Sequence, residues 1–422
     1  MKKKTNTKIH FELTKTQNNA LELLKKGESV FITGEAGTGK SFLLNTYINL
    51  LRSNKKKYMI TAPTGIGAIN VGGATLHRTF GIKIGIVEPN IEIPFIPTLE
   101  NIDVLIVDEI SMARIDIFEY VVRCIEKVNE SRKKKIQIVL VGDFYQLPPV
   151  IKKDEYKIFK ELFPYVKKGY PFESPLWESL KLKVIKLKEI VRQGDPELIE
   201  NLNKARIGDK SCIEYFNNKS KKRTIKDAIT LCPTNSDVDV INTKEVNKIN
   251  SKTYYYEAFE TGIIKQNEKP TNDVIALKKG VRVMCLINEK DLLYQNGSLG
   301  KVVSCSNDEV VVEFDDGVIE TFTPYKWEVK KYVVKKESDK KSVIEEVIGS
   351  FTQIPLKVAY AISIHKSQGQ TFEKVNLIPS CFADGQLYVA LSRVKSIDGL
   401  HLVKKIKASD LKADKGVTDF YD

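Results

Sequence analysis

The sequence predicts an α/β protein: a parallel sheet covered on both faces, then a second α/β unit interrupted by a small antiparallel barrel. Three observations predict it. Fully apolar strands alternate with helical stretches through the first third of the chain. A G-x-x-x-x-G-K-S loop, residues 34–41, stands between the first strand and the helix after it. From about residue 250 to 350 the text turns β-rich, with hairpin signals at Asn296-Gly297 and Asp316-Gly317. At 422 residues the chain can build two or three cores, since single cores stop growing at roughly 250–300 residues.

Taken in order, Thr14-Lys15-Thr16-Gln17 opens the first helix with a T-x-x-Q capping box, and Leu21 and Leu24 share a face as the helix runs to about Lys26. The box gives Gln17 a structural explanation. Ser29 to Thr33 reads as a short buried strand, and Phe42 to Leu51 as the helix beyond the loop. Tyr58 to Thr61 is a second strand running into Ala62-Pro63-Thr64-Gly65. From Phe80 to Glu100 the residues become Ile-, Pro- and Gly-rich without helical period, as in a small insertion or protruding hairpin. Val104 to Val107 is an apolar strand ending in Asp108-Glu109, and Ile138 to Val141 another ending in Gly142-Asp143. Ligands bind such sheets at strand carboxyl ends, where all four motifs lie.

Lys181 to Glu189 is strand-like and leads to Ile190-Val191-Arg192-Gln193. Ala228 to Cys232 is the strand that begins the second α/β unit. Val310 to Phe322 alternates apolar and polar residues as half-buried strands do, and the lysine run from Lys330 to Lys341 reads as a solvated hairpin tip. Lys357 to Ile364 returns to parallel-sheet style, so the barrel is an insertion.

The net charge of +13 and pI near 9.1 suit a polyanionic partner. No apolar run approaches the roughly 20 residues of a membrane span, and Met1-Lys2-Lys3-Lys4 is followed by polar residues, so a soluble, unsecreted protein without membrane contact is expected. Six cysteines and four histidines are scattered with neither zinc spacing nor a disulfide framework. Only ten of the 67 cationic side chains are arginine, so an Arg in a motif hints that a rigid, always-charged fork was wanted.

The chemistry follows from the loop Gly34-Glu35-Ala36-Gly37-Thr38-Gly39-Lys40-Ser41. Glycines at 34, 37 and 39 admit backbone angles closed to other residues, so successive N–H groups turn inward around a phosphate, helped by the helix N-terminus. Lys40 is placed to reach the β- and γ-phosphates of ATP, and the Ser41 hydroxyl to bind Mg²⁺. Asp108 suits Mg²⁺ and Glu109 the attacking water. Gln146, just past a strand end, can hydrogen-bond the γ-phosphate or that water. Arg192 and Arg393 are the candidates for spreading transition-state charge. If both reach the nucleotide held by the first half, ATP sits in an interdomain cleft. Pro63-Thr64-Gly65, Thr75-Leu76-His77-Arg78 and His365-Lys366-Ser367 offer hydroxyls, N–H groups and cations suited to phosphates and sugars. Taken singly, His77 or His365 is as readily a packed core histidine. Aromatic residues are not interleaved with basic ones, so backbone tracking is expected instead of base readout.

The phosphate loop, T-A-P-T-G at 61–65, V-D-E at 107–109, G-D-F-Y-Q-L-P-P-V at 142–150, R-Q at 192–193, H-K-S-Q-G-Q-T at 365–371 and Y-V-A-L-S-R at 388–393 together resemble the Pif-type helicases, superfamily 1B enzymes related to RecD proteins. The resemblance spans nearly the whole chain. It implies two RecA-like domains and an ATP-driven helicase that translocates 5′ to 3′ on single-stranded DNA and unwinds 5′-tailed or forked duplex. The alternative is a DNA-stimulated ATPase that remodels nucleoprotein without efficient unwinding. G-quadruplex and RNA–DNA hybrid stay open as substrates, and a monomer in the cytoplasm, on the nucleoid if bacterial, is expected.

The resemblance further implies that 1–80 and 98–190 form the ATP-binding domain, 81–97 a strand-separating insertion, 191–249 and 351–422 the second domain, and 250–350 an SH-three-like barrel. By position, Gln17 matches an adenine-reading glutamine, Lys40 and Ser41 the phosphate and Mg²⁺ ligands, Asp108 and Glu109 the metal and water-activating acids, and Gln146 the γ-phosphate sensor. Arg192 and Arg393 match two transition-state arginines, and Gly369 with Gln370 a contact to the nucleotide sugar. Thr64, His77, Thr234, Asn235, His365, Lys366 and Ser367 fall in segments that line the DNA groove in relatives. The chain starts and stops close to the outermost motifs, so the long tails that direct some relatives to partners are expected to be missing.

Overall fold

Each apolar strand of the first half is buried because parallel neighbours flank it and helices close both faces. The computed structural model describes residues 12–83, 85–190, 194–226, 228–288, 294, 296–337 and 340–422. Strands β1 (Val30–Gly34), β2 (Tyr58–Ala62), β3 (Ala74–Thr75), β4 (Val104–Val107), β5 (Gln137–Val141) and β6 (Lys183–Leu187) form one sheet in the order β3-β2-β4-β5-β1-β6. All its pairings are parallel. Strand alternation divides the side chains between two cores. Phe31, Leu105, Ile138 and Leu140 meet Phe118, Val121, Val122 and Ile125 of the helix Ile115–Ser131. Val30, Ile32, Ile106 and Val139 meet Leu21, Leu24, Leu43, Leu44 and Tyr47 of the helices Lys15–Lys25 and Lys40–Ser53. Burying each such side chain contributes about 1.5–3 kcal/mol. The capping box forms, with Thr14 as N-cap.

Residues 81–97 are not a protruding hairpin: among their described residues there is no strand. The segment is pinned along the helix Ile115–Ser131. The Val87 N–H donates to Asp116 Oδ2 at 2.8 Å, and Arg114 and Arg123 donate to the carbonyls of Gly85 and Pro89. Ile82 and Val87 are buried, whereas Phe95 and Ile91 face solvent. The arginine forks satisfy carbonyls that a strand partner otherwise satisfies.

The second parallel sheet holds β7 (Ile229–Cys232), with β18 (Ala361–Ser363) on one side and β19 (Val375–Leu377) then β20 (Leu400–Leu402) on the other. Between β7 and β18 the described residues form ten antiparallel strands: β8 (Thr253–Glu257), β9 (Phe259–Gly262), β10 (Val274–Lys278), β11 (Arg282–Cys285), β12 (Leu299–Cys305), β13 (Val310–Phe314), β14 (Ile319–Phe322), β15 (Tyr325–Glu337), β16 (Lys340–Gln353) and β17 (Leu356–Val358). Hydrogen bonding divides them into sheets β10-β8, β14-β13-β12-β11-β17 and β15-β16-β9. The first two share one core through Tyr256, Ile275, Leu277, Val283, Val312 and Phe314. Two details depart from expectation, and the lysine run, expected on a solvated hairpin, agrees with it. Residues 356–358 pair antiparallel with β11, so parallel style resumes only at Ala361. The lysine run lies on a long two-stranded ribbon, where Lys330 and Lys331 pair with Glu345 and Glu346. That ribbon docks on the first sheet, since Ile60 of β2 donates to the Tyr332 hydroxyl at 3.1 Å.

The C-terminal helix Lys415–Tyr421 follows the second sheet in the chain but packs into the first core. Phe420 stacks on Phe172 with centroids 4.4 Å apart, and Tyr421 on Tyr145 at 5.2 Å. No helix among the described residues is long and apolar enough to cross a membrane.

Candidate active site

The loop leaving β1 takes the backbone its glycines permit: φ is 155° at Gly34, 89° at Gly37 and 76° at Gly39. Gly39 is the N-cap of the helix Lys40–Ser53, so that helix aims its N-terminus into the loop. The Lys40 amine donates to the carbonyls of Gly34 at 2.7 Å and Glu35 at 3.1 Å. Thr38 is buried, with its hydroxyl on Glu35 O. Both ends of the Gln17 amide are engaged: Oε1 accepts the Thr14 N–H at 3.0 Å, and Nε2 donates to Thr38 O at 3.0 Å. Gln17 thus braces the phosphate loop as well as capping its own helix. Among the described residues, the Ala36 N–H donates to the Tyr388 hydroxyl at 2.8 Å, a contact from the second unit.

Asp108 and Glu109 extend past β4, and the Glu109 N–H donates to Asp108 Oδ1 at 2.9 Å. Glu109 sits at φ 50°, a left-handed angle costly for a residue with a Cβ and characteristic of functional sites. Burial pushes both carboxyls above the ordinary range. For Glu109 the Asp108 charge adds to the push, while Lys40 and Arg393 oppose it. A raised carboxylate is a better proton acceptor near neutral pH. Gln146 lies buried beyond β5.

Against these stands the turn His365–Ser367, which follows β18. The Gln368 amide reaches across, its Nε2 donating to Gln146 Oε1 at 3.0 Å and Glu109 Oε2 at 3.3 Å. Arg393 is 1% exposed and ties the turn together. It donates to the carbonyls of Gln370 at 3.1 Å, Ser367 at 3.3 Å and Val389 at 2.8 Å, and to Ser392 Oγ at 2.6 Å. Its fork therefore holds backbone of its own unit while its charge is felt at Glu109. Arg192 lies outside the described residues.

A cleft of about 1640 Å³ joins the two sides. Ser41, Asp108, Glu109, Pro63, Thr64 and Gly65 line one part, and His365, Lys366, Gly369 and Gln370 another. The remaining nucleic-acid candidates do not line it. Thr75 caps the short helix Leu76–Phe80, and His77 lies on that helix with burial and then Lys265 pushing its ring below the usual histidine range. Thr234 caps the helix Asn235–Asn247 through Asp237, leaving Asn235 exposed at its first turn. Ser367 is fully buried, its hydroxyl on Ile364 O at 2.8 Å.

Sequence reasoning missed the residues that join the units. Asp143, fully buried, receives Arg206 at 2.8 Å, and the Arg206 guanidinium lies 4.2 Å from the Tyr145 ring centroid. Gly385 is required beside them, because a Cβ there meets Gln146 O at 2.3 Å. Tyr421 accepts the Phe144 N–H and shares a 2.8 Å hydrogen bond with Thr33 Oγ1. The scarcity of arginine was the available signal for Arg206. Gln368 stood inside a quoted motif.

The family described as PIF1-like helicase matches residues 12–211. The ATP-dependent DNA helicase RRM3 of Saccharomyces cerevisiae is 31% identical over 97% of this chain and 67% of its own length. The ATP-dependent DNA helicase Pif1 of Campylobacter jejuni is 30% identical over 95% of this chain and 96% of its own. Among solved structures, Bacteroides sp Pif1 in complex with ADP-AlF4 superposes with a TM-score of 0.86 at 32% identity, covering 97% of this chain and 96% of that one. Bacteroides Pif1 bound to ssDNA gives 0.69 at the same identity and coverage.

Proposed function

The chain belongs to the PIF1-like helicase family, and from that premise we propose an ATP-dependent DNA helicase that translocates 5′ to 3′ on single-stranded DNA and unwinds 5′-tailed or forked duplex. The observation that carries the reading is the shared cleft, which sets Asp108 and Glu109 on one side and His365 and Lys366 on the other. One cavity lined by both sets couples hydrolysis to strand grip.

In this reading 1–80 with 98–190 binds ATP, 191–249 with 351–422 is the second motor domain, 250–350 the inserted barrel, and 81–97 the strand-separating element. The loop N–H groups and Lys40 orient the phosphates. Glu109 takes a proton from the attacking water, and Gln146 positions that water. The hydroxyl of Ser41 and the carboxylate of Asp108 are hard oxygen donors facing one cleft, a set that fits Mg²⁺. When bound, Mg²⁺ neutralises charge on the β- and γ-phosphate oxygens. Arg393 acts by its field and by holding the 365–370 backbone; Arg192 supplies the second arginine. Gln17 reads adenine with what its amide has left, and Gly369 and Gln370 meet the sugar. Thr64, His365 and Lys366 grip phosphates without reading sequence. A monomer working in the cytoplasm suffices, and G-quadruplex and RNA–DNA hybrid belong among the substrates to try.

The test is ATP-dependent unwinding of matched duplexes carrying a 5′ or a 3′ single-stranded tail, with Lys40→Ala as control. Unwinding from the 5′ tail alone is expected. Unwinding from the 3′ tail overturns the polarity, and hydrolysis without unwinding of either moves the function to a translocase that remodels nucleoprotein.

A further inference from the structure

We propose that Gln368 is a positioning residue for hydrolysis, tying the His365–Ser367 turn to the water-activating Glu109 so that the grip on DNA sets the geometry of attack. The inference rests on the function proposed above and names the link that function requires.

Three separate elements meet at one amide. Gln368 Nε2 donates to Glu109 Oε2, beyond β4, and to Gln146 Oε1, beyond β5, while its own backbone N–H donates to His365 O at 3.3 Å. The turn that carries it is stiff. Ser367 N and Oγ both bond Ile364 O, Gln370 N bonds Ser367 O, and Arg393 clamps Ser367 O and Gln370 O. His365 and Lys366, on the same turn, line the cleft. A strand pulling on those two side chains moves the Gln368 amide with them, because no soft residue intervenes. Gln368 Oε1 is buried without a donor among the described residues. A buried acceptor is unfavourable unless it is satisfied, and a hydrogen of the attacking water satisfies this one.

In the step itself the water oxygen bonds the γ-phosphorus, and the bond to the β–γ bridging oxygen breaks with its electron pair leaving on ADP. The proton passes to the Glu109 carboxylate. Gln368 makes and breaks no covalent bond; it fixes where Glu109, Gln146 and the water stand relative to one another.

The test compares wild type, Gln368→Ala and the similarly sized, uncharged Gln368→Met, which lacks the N–H donors. ATP hydrolysis is measured with and without saturating oligo-dT, and oligo-dT affinity by fluorescence anisotropy. In both variants kcat with DNA is expected to fall about tenfold, while KM for ATP and Kd for oligo-dT stay within about twofold. A residue that only packs does not produce that split. Full DNA stimulation in both variants overturns the link, and so does a loss of oligo-dT affinity that accounts for the lost rate. Wild-type hydrolysis that ignores DNA overturns the proposed function itself.

Discussion

The two motif clusters that face the cleft are charged in opposite senses, Asp108 with Glu109 against Lys366, while the rest of the lining is mixed, with Glu313, Asp315, Asp316 and Glu373 beside Arg282, Lys301, Lys374 and Lys395. Asp108 and Glu109 adjoin at the end of β4, and burial lifts both carboxyls above their usual range. On the other side Lys366 faces the cleft, and burial followed by the Lys366 charge pushes Lys357 of β17 down to about 8. Neither arrangement helps the fold. Acids held close suit a divalent cation, and lysines held close suit a polyanion. Asp108 with Glu109, and Lys357 with Lys366, each bear a like-charge penalty that an oppositely charged ligand relieves, and in the proposed mechanism Gln368 connects the two clusters.

The sharpest break on the acidic side is Glu109→Gln, which keeps shape and removes the proposed base. We expect kcat for ATP to fall by about 10²–10⁴, as loss of general base catalysis does, with oligo-dT affinity unchanged. The melting temperature should hold or rise, since a half-buried charge crowded by Asp108 is gone. A proportional loss of kcat and melting temperature contradicts this.

Between the sides, Arg206→Ala leaves Asp143 buried and unpaired. Chemical denaturation should show a loss of about 3–5 kcal/mol, the usual effect of stranding one partner of a buried pair. A loss near zero removes the Arg206–Asp143 pair from the connection of the two units.

How legible this was differed between the sides. The first unit was readable because each motif there sits at the end of a buried strand, so the order of apolar run, glycine or acid, and helix specifies both fold and place. Gly34 to Ser41, Asp108 and Glu109 all lie where that pattern puts them. The second unit was less readable because its motif residues serve the backbone: Ser367 bonds Ile364 O, Thr234 caps a helix, and Arg393 clamps a turn. A hydroxyl or guanidinium that satisfies a carbonyl looks in sequence like one meant for a phosphate. The joining residues were hidden for another reason. Arg206 meets Asp143 across 63 positions and Tyr421 meets Thr33 across 388, and no local period reports such contacts. Likewise Phe80 to Glu100 read only as a small insertion or protruding hairpin because its anchors, Arg114 and Arg123, come later in the chain, at the N-cap and on the helix Ile115–Ser131.

On the basic side the pH dependence has a definite sign. With its folded pKa at about 8, below the ordinary lysine range, Lys357 binds fewer protons folded than unfolded, so stability should rise as pH goes from about 8 towards 10. Lys357→Met should be more stable at pH 7 by on the order of 1 kcal/mol, with that rise gone; denaturant titrations at both pH values check it.

The smallest effects sharpen the division of labour within one turn. Lys366→Ala should weaken oligo-dT binding and lower the salt slope by about 0.7, one phosphate contact on a single strand. Ser367→Ala should leave binding alone and lower stability by about 1 kcal/mol, the worth of an ordinary hydrogen bond. Binding isotherms at several salt concentrations, with melting curves, separate the two.

One cleft joining nucleotide chemistry to strand grip is what the proposed function requires. It is tested most directly by the rate of ATP hydrolysis as oligo-dT is titrated, alongside the binding isotherm of the same oligonucleotide. A low rate without DNA, and stimulation that saturates along the binding curve, are expected. A rate indifferent to DNA while DNA is bound would contradict it.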